Sequence, residues 1–225
     1  MPGRKTEKRN LDCLIVGGGP AGLTASLYLA RYRRQVHIID AGSSRAAQIP
    51  ESHNHPGFAG ISGTALLDAL RKQAARYGVE IKRGKVNSLS KNEEGFIARI
   101  DNGNITASRV LLATGITDAS PDLPGLDRSV ARASIRYCPV CDGYEASDAN
   151  IAVYGPLDEA AGKALFLRTY TSRLTVLPVS EGADGGKVSE LREAGITVVS
   201  LAPPAVLGNG QRHRGGFAER SAPGI

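Results

Sequence analysis

Two short stretches of this 225-residue chain have residue types and spacing that can do chemistry. The first is Cys138-Pro139-Val140-Cys141-Asp142-Gly143. In a Cys-x-x-Cys pair the two sulfurs reach bonding distance within one turn of chain. A suitable environment lowers one thiol's pKa, so that thiolate is available near neutral pH. Thiol–disulfide exchange needs that thiolate and a good leaving group. Asp142, beside the pair, can give or take the proton of the departing thiol, although an aspartate here also reads as a turn residue. Half of a zinc site, a structural pair of thiols and coincidence are the competing readings. Zinc asks for four ligands, and the chain offers only Cys13 and four scattered histidines besides, so no metal is expected.

The second stretch is Gly17-x-Gly19-x-x-Gly22, between an apolar run and a helical pattern, with Asp40 closing the next apolar run 18 residues after Gly22. Gly17 permits a tight turn, Gly19 lets backbone approach a pyrophosphate, and Gly22 lets a helix pack closely on a strand. The helix N-terminus, which begins with Pro20 and Ala21, stabilises the negative charge. Asp40 can accept from a ribose hydroxyl. A glycine turn that binds nothing is the plain alternative, but strand, helix and terminal acid together are the context the fingerprint demands. Cys13, inside the apolar run, reads as core. The loop His53-Asn54-His55-Pro56-Gly57 is polar enough to touch a ligand and is equally what a simple turn looks like.

These residues need elements to hold them. Cys13 to Val16 reads as a strand, Pro20 to Ala30 as a helix and Val36 to Asp40 as a second strand, a βαβ unit that implies a parallel sheet. After the loop from Pro50 to Gly63 a helix is expected from Thr64 to Arg76, stopped by Gly78, then a strand from Val79 to Lys82. Phe96 to Ile100 and Ile105 to Ala107 flank Asp101-Asn102-Gly103-Asn104, a hairpin signal, before the strand Val110 to Ala113. A Pro-, Gly- and Asp-rich stretch at 118–127 marks a domain crossing. Beyond it come strand Ile151 to Tyr154, helix Asp158 to Tyr170, strand Leu174 to Val179, helix Lys187 to Ala194 and strand Ile196 to Leu201. The fold class is α/β: two Rossmann-like βαβ units with parallel sheets and a small antiparallel excursion.

Composition narrows the classes further. With 41% hydrophobic and 22% charged residues the chain is globular rather than disordered, collagenous or coiled-coil. Its 27 glycines are well above the usual ~7%, as many tight turns require. The net charge of +6 sits mostly at the ends. Residues 1–10 carry Arg4, Lys5, Lys8 and Arg9 against Glu7, and residues 208–225 carry Arg212, Arg214 and Arg220 against Glu219. With no Trp and 5% aromatics these arms lack stacking platforms, so sequence-specific nucleic-acid binding is not expected. No run approaches the ~20 apolar residues of a membrane span, and no signal-peptide core follows the basic N-terminus. The expected location is cytoplasmic, where a Cys-x-x-Cys plus one further cysteine is not a disulfide framework.

In this order the pieces resemble the low-molecular-weight flavoprotein thioredoxin reductases. The likeness runs from residue 11 to about 201 and rests on Leu14-Ile15-Val16-Gly17-Gly18-Gly19-Pro20-Ala21-Gly22, Asp40, Asn54-His55-Pro56-Gly57, Ala113-Thr114-Gly115 and the Cys138 to Gly143 motif. It implies FAD held by Gly17, Gly19, Pro20, Ala21, Gly22, Asp40, Gln48, Asn54, Val86, Thr114 and Gly115. It also implies Cys141 facing the flavin, Cys138 exchanging with a thioredoxin-like protein or a small disulfide or dithiol, Asp142 as acid, and a homodimer. The implied domains are a basic arm at 1–10, an FAD-binding domain at 11–117, an NAD(P)-domain-like unit carrying the cysteines at 118–205, and a disordered tail at 206–225. NADPH is a possible second cofactor with a degenerate site. Leu157 stands where that family's NADPH turn has glycine and is expected to crowd a pyrophosphate, and Leu177-Pro178-Val179-Ser180 lacks the arginine pair used for a 2′-phosphate. The chain ends before the return segment with its Gly-Asp element, as truncation or a shifted reading frame would produce. Oxygen-dependent oxidation of dithiols by the same flavin and cysteines, and a non-catalytic nucleotide-binding remnant, are the alternative functions.

Overall fold

A computed structural model of the chain describes residues 11–179 and 185–199. It divides into two units, Met1–Thr117 and Asp118–Ile225. The basic arm at 1–10 and the tail at 206–225 lie outside the described residues.

In the first unit, β1 (Cys13–Val16), α1 (Pro20–Arg31), β2 (Val36–Asp40), α2 (Gly63–Ala75) and β3 (Glu80–Arg83) precede three strands, β4 (Val86–Asn92), β5 (Gly95–Ile100) and β6 (Gly103–Ala107), and then β7 (Val110–Leu112). A four-stranded sheet has the order β3-β2-β1-β7, parallel throughout. Its central strand is buried on both faces, which is why it is a continuous apolar run. Cys13 and Ile15 pack with Leu23, Val36, Ile38, Leu67 and Ala74 on one side. Leu14 packs with Leu11, Ile39, Ala98 and Ala107 on the other, each fully buried aliphatic side chain contributing about 1.5–3 kcal/mol.

Helix α1 starts with Pro20, whose fixed φ suits the first helical position, and buries Gly22, Leu23 and Ser26. Helix α2 is capped by Ser62, whose hydroxyl oxygen accepts from the Ala65 N–H at 3.2 Å. The antiparallel excursion has three strands, in the order β4-β5-β6, where the sequence pointed to two. The additional β4 is Val-Asn-Ser-Leu-Ser-Lys-Asn and exposed beyond its first residue, so no apolar alternation announces it.

The second unit contains two short helices, α3 (Leu126–Ala131) and α4 (Pro139–Asp142), and then β8 (Ile151–Gly155), α5 (Leu157–Leu167), β9 (Leu174–Pro178), α6 (Gly185–Glu193) and β10 (Thr197–Val198). Its parallel sheet has the order β10-β9-β8 over a core of Ile151, Val153, Leu157, Ala160, Ala164, Leu174, Val176, Leu191 and Ile196. Helix α5 ends at Leu167 rather than Tyr170, because the chain turns back there. The Thr171 hydroxyl donates to the Ala149 carbonyl and the Tyr170 carbonyl accepts from the Asp148 N–H. The final strand is Thr197–Val198 rather than Ile196 to Leu201, and Leu201 lies outside the described residues. Among the described residues no helix is long and apolar enough to cross a membrane.

Two glycines with opposite surroundings test this packing. A Cβ at Gly22 would run into the Gly17 carbonyl oxygen, whereas a Cβ at Gly162, exposed on α5, would meet nothing within 4 Å. Gly22→Ala is therefore expected to cost about 1–3 kcal/mol by overpacking, and Gly162→Ala to add about 0.4–1 kcal/mol. Urea unfolding midpoints followed by circular dichroism should move in opposite directions for the two variants.

Candidate functional site

In the first unit the strand ends of the parallel sheet carry the glycine turn. Gly17 has φ +111°, open to glycine but strained for other residues, and its Cα faces the Ala113 carbonyl so closely that no side chain fits. The turn thereby lies directly against Ala113-Thr114-Gly115, at the end of β7. Gly22 sits on the Gly17 carbonyl and within 3.2 Å of the Ile15 Cγ2 for a built Cβ, the close helix–strand contact the fingerprint asks of it. Gly19 is different: a Cβ there would meet only the Ser44 hydroxyl, at 3.3 Å. Gly19 is also the N-cap of α1, with no side-chain cap and no acid in the first helical turn. Uncapped N–H groups, a positive dipole end and an uncrowded backbone fit the pyrophosphate of a dinucleotide.

Asp40 is buried at the end of β2. Its Oδ1 accepts from the N–H of Gly18 at 3.3 Å and of Gly42 at 2.9 Å, and its Oδ2 faces Arg71 Nη2 at 3.5 Å. A carboxylate has about four acceptor positions, so these contacts leave room on Oδ2 for a ribose hydroxyl. Gly18 was not singled out from the sequence, yet a Cβ there would lie 2.5 Å from the Asp40 carboxyl carbon. Its signal was its place in the middle of three consecutive glycines. Arg71 gave none, because on α2 it reads as an ordinary surface partner of Asp68.

The remaining expected FAD contacts are spread around this centre. Gln48 is exposed at the end of the short 3-10 turn Arg45–Gln48. Asn54 lies in the loop closed by the Ser52–Ile61 bridge and accepts from the Ser52 hydroxyl at 2.8 Å. Val86 opens β4 and packs against the Leu11, Leu14 and Ile39 cluster, while Thr114 and Gly115 are exposed. The structure thus brings Gly17, Gly19, Pro20, Ala21, Gly22, Asp40 and Thr114 around one turn, and places Gln48, Asn54 and Val86 on separate segments.

In the second unit Cys138 and Cys141 are joined as a disulfide with their Cα atoms 5.3 Å apart. Both are half-buried. The Cys141 N–H donates to Cys138 Sγ at 3.2 Å, a bond that would stabilise negative charge on that sulfur once the disulfide opens. Asp142 Oδ1 faces Arg136 Nη1 at 3.8 Å, both side chains mostly buried. Arg136 was missed in the sequence, although a cation two residues before a Cys-x-x-Cys was its visible signal. Gly143 backs onto the Tyr170 ring, 2.7 Å from a built Cβ, which accounts for glycine after Asp142.

The second glycine turn follows β8. Gly155 has φ +154°, but Pro156 and Leu157 come next. Leu157 does not crowd the turn as its position in the sequence suggested, since it is only 7% exposed and belongs to the core of this unit. The first turn of α5 instead carries Asp158 and Glu159. Two carboxylates already occupy the end at which a pyrophosphate would sit, and the residues present do not fit one.

The family model for pyridine nucleotide-disulphide oxidoreductases matches residues 11–162. A thioredoxin reductase of Treponema pallidum (strain Nichols) is 32% identical over 169 residues, 74% of this chain and 55% of that protein. Among solved structures, HlmI aligns with a TM-score of 0.77 at 30% identity, covering 86% of this chain and 62% of that one. A thioredoxin reductase from Streptococcus pyogenes MGAS5005 aligns with a TM-score of 0.77 at 26% identity, covering 86% and 64%. The chain spans about half the length of the curated relatives it matches.

The three cysteines should separate by reactivity. Burial raises the Cys13 thiol above its ordinary pKa, outweighing the lowering by the Leu111 backbone and Arg109, so at pH 8 it holds less thiolate than an exposed cysteine. After reduction with dithiothreitol, iodoacetamide should label Cys138 and Cys141 in the native chain and Cys13 at least ~10-fold more slowly, as read by peptide mass spectrometry. Equal labelling of all three would remove the distinction.

Proposed function

The chain belongs to the pyridine nucleotide-disulphide oxidoreductase family, and from that premise we propose that it is an FAD-dependent thiol–disulfide oxidoreductase of the thioredoxin-reductase type. Electrons pass between the flavin, the Cys138–Cys141 disulfide and the disulfide of a thioredoxin-like protein. The observation that carries this reading is the closed Cys138–Cys141 pair, with the Cys141 N–H on Cys138 Sγ, in a chain whose other unit offers an uncapped, acid-free helix N-terminus.

Bound FAD supplies a two-electron carrier, and the protein's residues do the rest. Gly17, Gly18 and Gly19 keep side chains out of the turn, the first N–H groups of α1 with Pro20, Ala21 and Gly22 face the pyrophosphate, and Asp40 takes a ribose hydroxyl. Gln48, Asn54, Val86, Thr114 and Gly115 complete the FAD contacts. In the reduced chain, Cys138 as thiolate attacks one sulfur of the partner disulfide and expels the other as thiolate, giving a mixed disulfide. Cys141 then attacks Cys138 Sγ, the mixed disulfide breaks, and the Cys138–Cys141 bond re-forms as the partner leaves with both electrons. Asp142, held near Arg136, gives a proton to the departing thiolate. The proposed assembly is a homodimer in the cytoplasm.

A second reading reverses the flow: a substrate dithiol and dioxygen give a disulfide and hydrogen peroxide through the same cysteines. The acids in the first turn of α5 favour it, because it needs no nicotinamide.

A single-turnover experiment tests the exchange step. The FAD-loaded chain, reduced anaerobically with dithionite and freed of excess reductant, is mixed with an oxidised thioredoxin, and the thioredoxin dithiol formed is trapped and counted. The parent should deliver about two dithiols per chain, one from the Cys138–Cys141 pair and one from the flavin, and Cys138→Ser and Cys141→Ser should each be at least ~100-fold slower. Undiminished transfer by either variant would sink the proposed role of the pair.

A further inference from the structure

The two units repeat one backbone device, a parallel strand running into a positive-φ glycine and then a helix, and the repeat allows a position-by-position comparison. Gly17 answers to Gly155, with φ +111° and +154°. Gly18 answers to Pro156, Gly19 to Leu157, and the first helical residues Pro20, Ala21 and Gly22 to Asp158, Glu159 and Ala160. From this comparison we propose that the βαβ turn of the second unit is closed to pyridine dinucleotides. The proposal rests on the flavin-linked disulfide reading above and deepens it, by removing nicotinamide as a ligand of this unit.

Three features lead there, and they are mutually consistent. In the first unit the strand-end carboxylate of Asp40 and the Gly18 N–H belong together, one accepting from the other at 3.3 Å. In the second unit both halves are gone. Pro156 has no N–H to give, and β9 ends at Pro178, followed by an exposed Val179. Pro178 stands at the place of Asp40, so neither it nor Val179 brings a carboxylate for a ribose or a cation for a 2′-phosphate, and the sequence from Val179 to Gly186 has no basic residue.

The second feature is charge. The first turn of α1 carries no acid, and that of α5 carries two. Carboxylates there already satisfy the positive end of the helix, and an incoming pyrophosphate would lie beside like charge. Each acid faces a lysine: Lys187 Nζ lies 3.0 Å from Asp158 Oδ1, and Lys163 Nζ lies 3.8 Å from Glu159 Oε2.

The third is packing. Leu157 fills the unit's core, so the departure from glycine is built into the fold rather than hung on its surface. Restoring glycine at that position would open a cavity.

The test uses the full chain saturated with FAD, so that the first unit is occupied, and equilibrium dialysis against NADPH and separately NADH. No saturable binding up to about 1 mM, the weak end of ordinary enzyme–substrate affinities, is expected. Saturable binding of either nucleotide below that concentration, persisting in excess FAD, would overturn the proposal. Binding that excess FAD abolishes belongs to the first unit and leaves the proposal standing. A chain that is folded by circular dichroism yet binds neither FAD nor NADPH would sink the flavin reading while agreeing with closure of the second turn, so the two failures are told apart.

Discussion

The chemistry available to the first unit depends on one backbone contact, the Cα of Gly22 resting on the carbonyl of Gly17 while Gly17 itself rests on the carbonyl of Ala113. Three chain segments meet there without a side chain between them. That contact sets how closely α1 approaches β1, and so where the uncapped N–H groups of Gly19 and its followers point. It also brings the end of β7 to the mouth of the turn. Asp40 is drawn into the same structure through Gly18 and Gly42. The carboxylate is therefore as much part of the loop's architecture as a ligand for anything outside it.

The second unit shows what the same topology becomes when that contact is not demanded. A Cβ at Gly155 would meet nothing within 4 Å, and proline and leucine follow it beside an intact parallel sheet. The core tolerates this because Leu157 contributes to it, alongside Val153, Ala161 and Val176. Parallel order survives, and parallel strands joined through helices favour the right-handed crossover. The residues at the helix start, Asp158 and Glu159, are ones that suit a helix N-terminus in water.

How much of this was legible in the sequence depended on whether a local rule was in force. β1, α1 and β2 were readable because the glycine fingerprint, the apolar run and the terminal Asp40 all state the same unit. Helix α2 and its stop at Gly78 followed from capping and glycine chemistry, and the hairpin from Asn102-Gly103. β4 was not readable, because its stability comes from pairing with β5 rather than from its own pattern, and strand preference of that kind is set by context. The Cys138–Cys141 pair was visible from spacing alone and Arg136 only as a cation two residues before it, whereas Tyr170 gave no signal, since its contact to Gly143 forms only on folding. Leu157 was noticed for the wrong reason: the sequence shows a bulky residue at a turn, and only the fold shows that it faces inward.

Asp142 follows Cys141 directly on α4, so its charge bears on the pair. Opening the Cys138–Cys141 bond creates negative charge on sulfur beside a carboxylate, an arrangement that like-charge repulsion disfavours. The Cys141 N–H on Cys138 Sγ offsets part of that cost, and the guanidinium of Arg136, mostly withdrawn from water with Asp142, offsets more where screening is weak. A lysine could supply the same charge but not the planar, multiply donating group that can face a carboxylate and remain directed towards a neighbouring anion. Cys141 and Asp142 thus share a four-residue helix capped by Cys138, with Arg136 against the acid and the following glycine fixed by the ring of Tyr170.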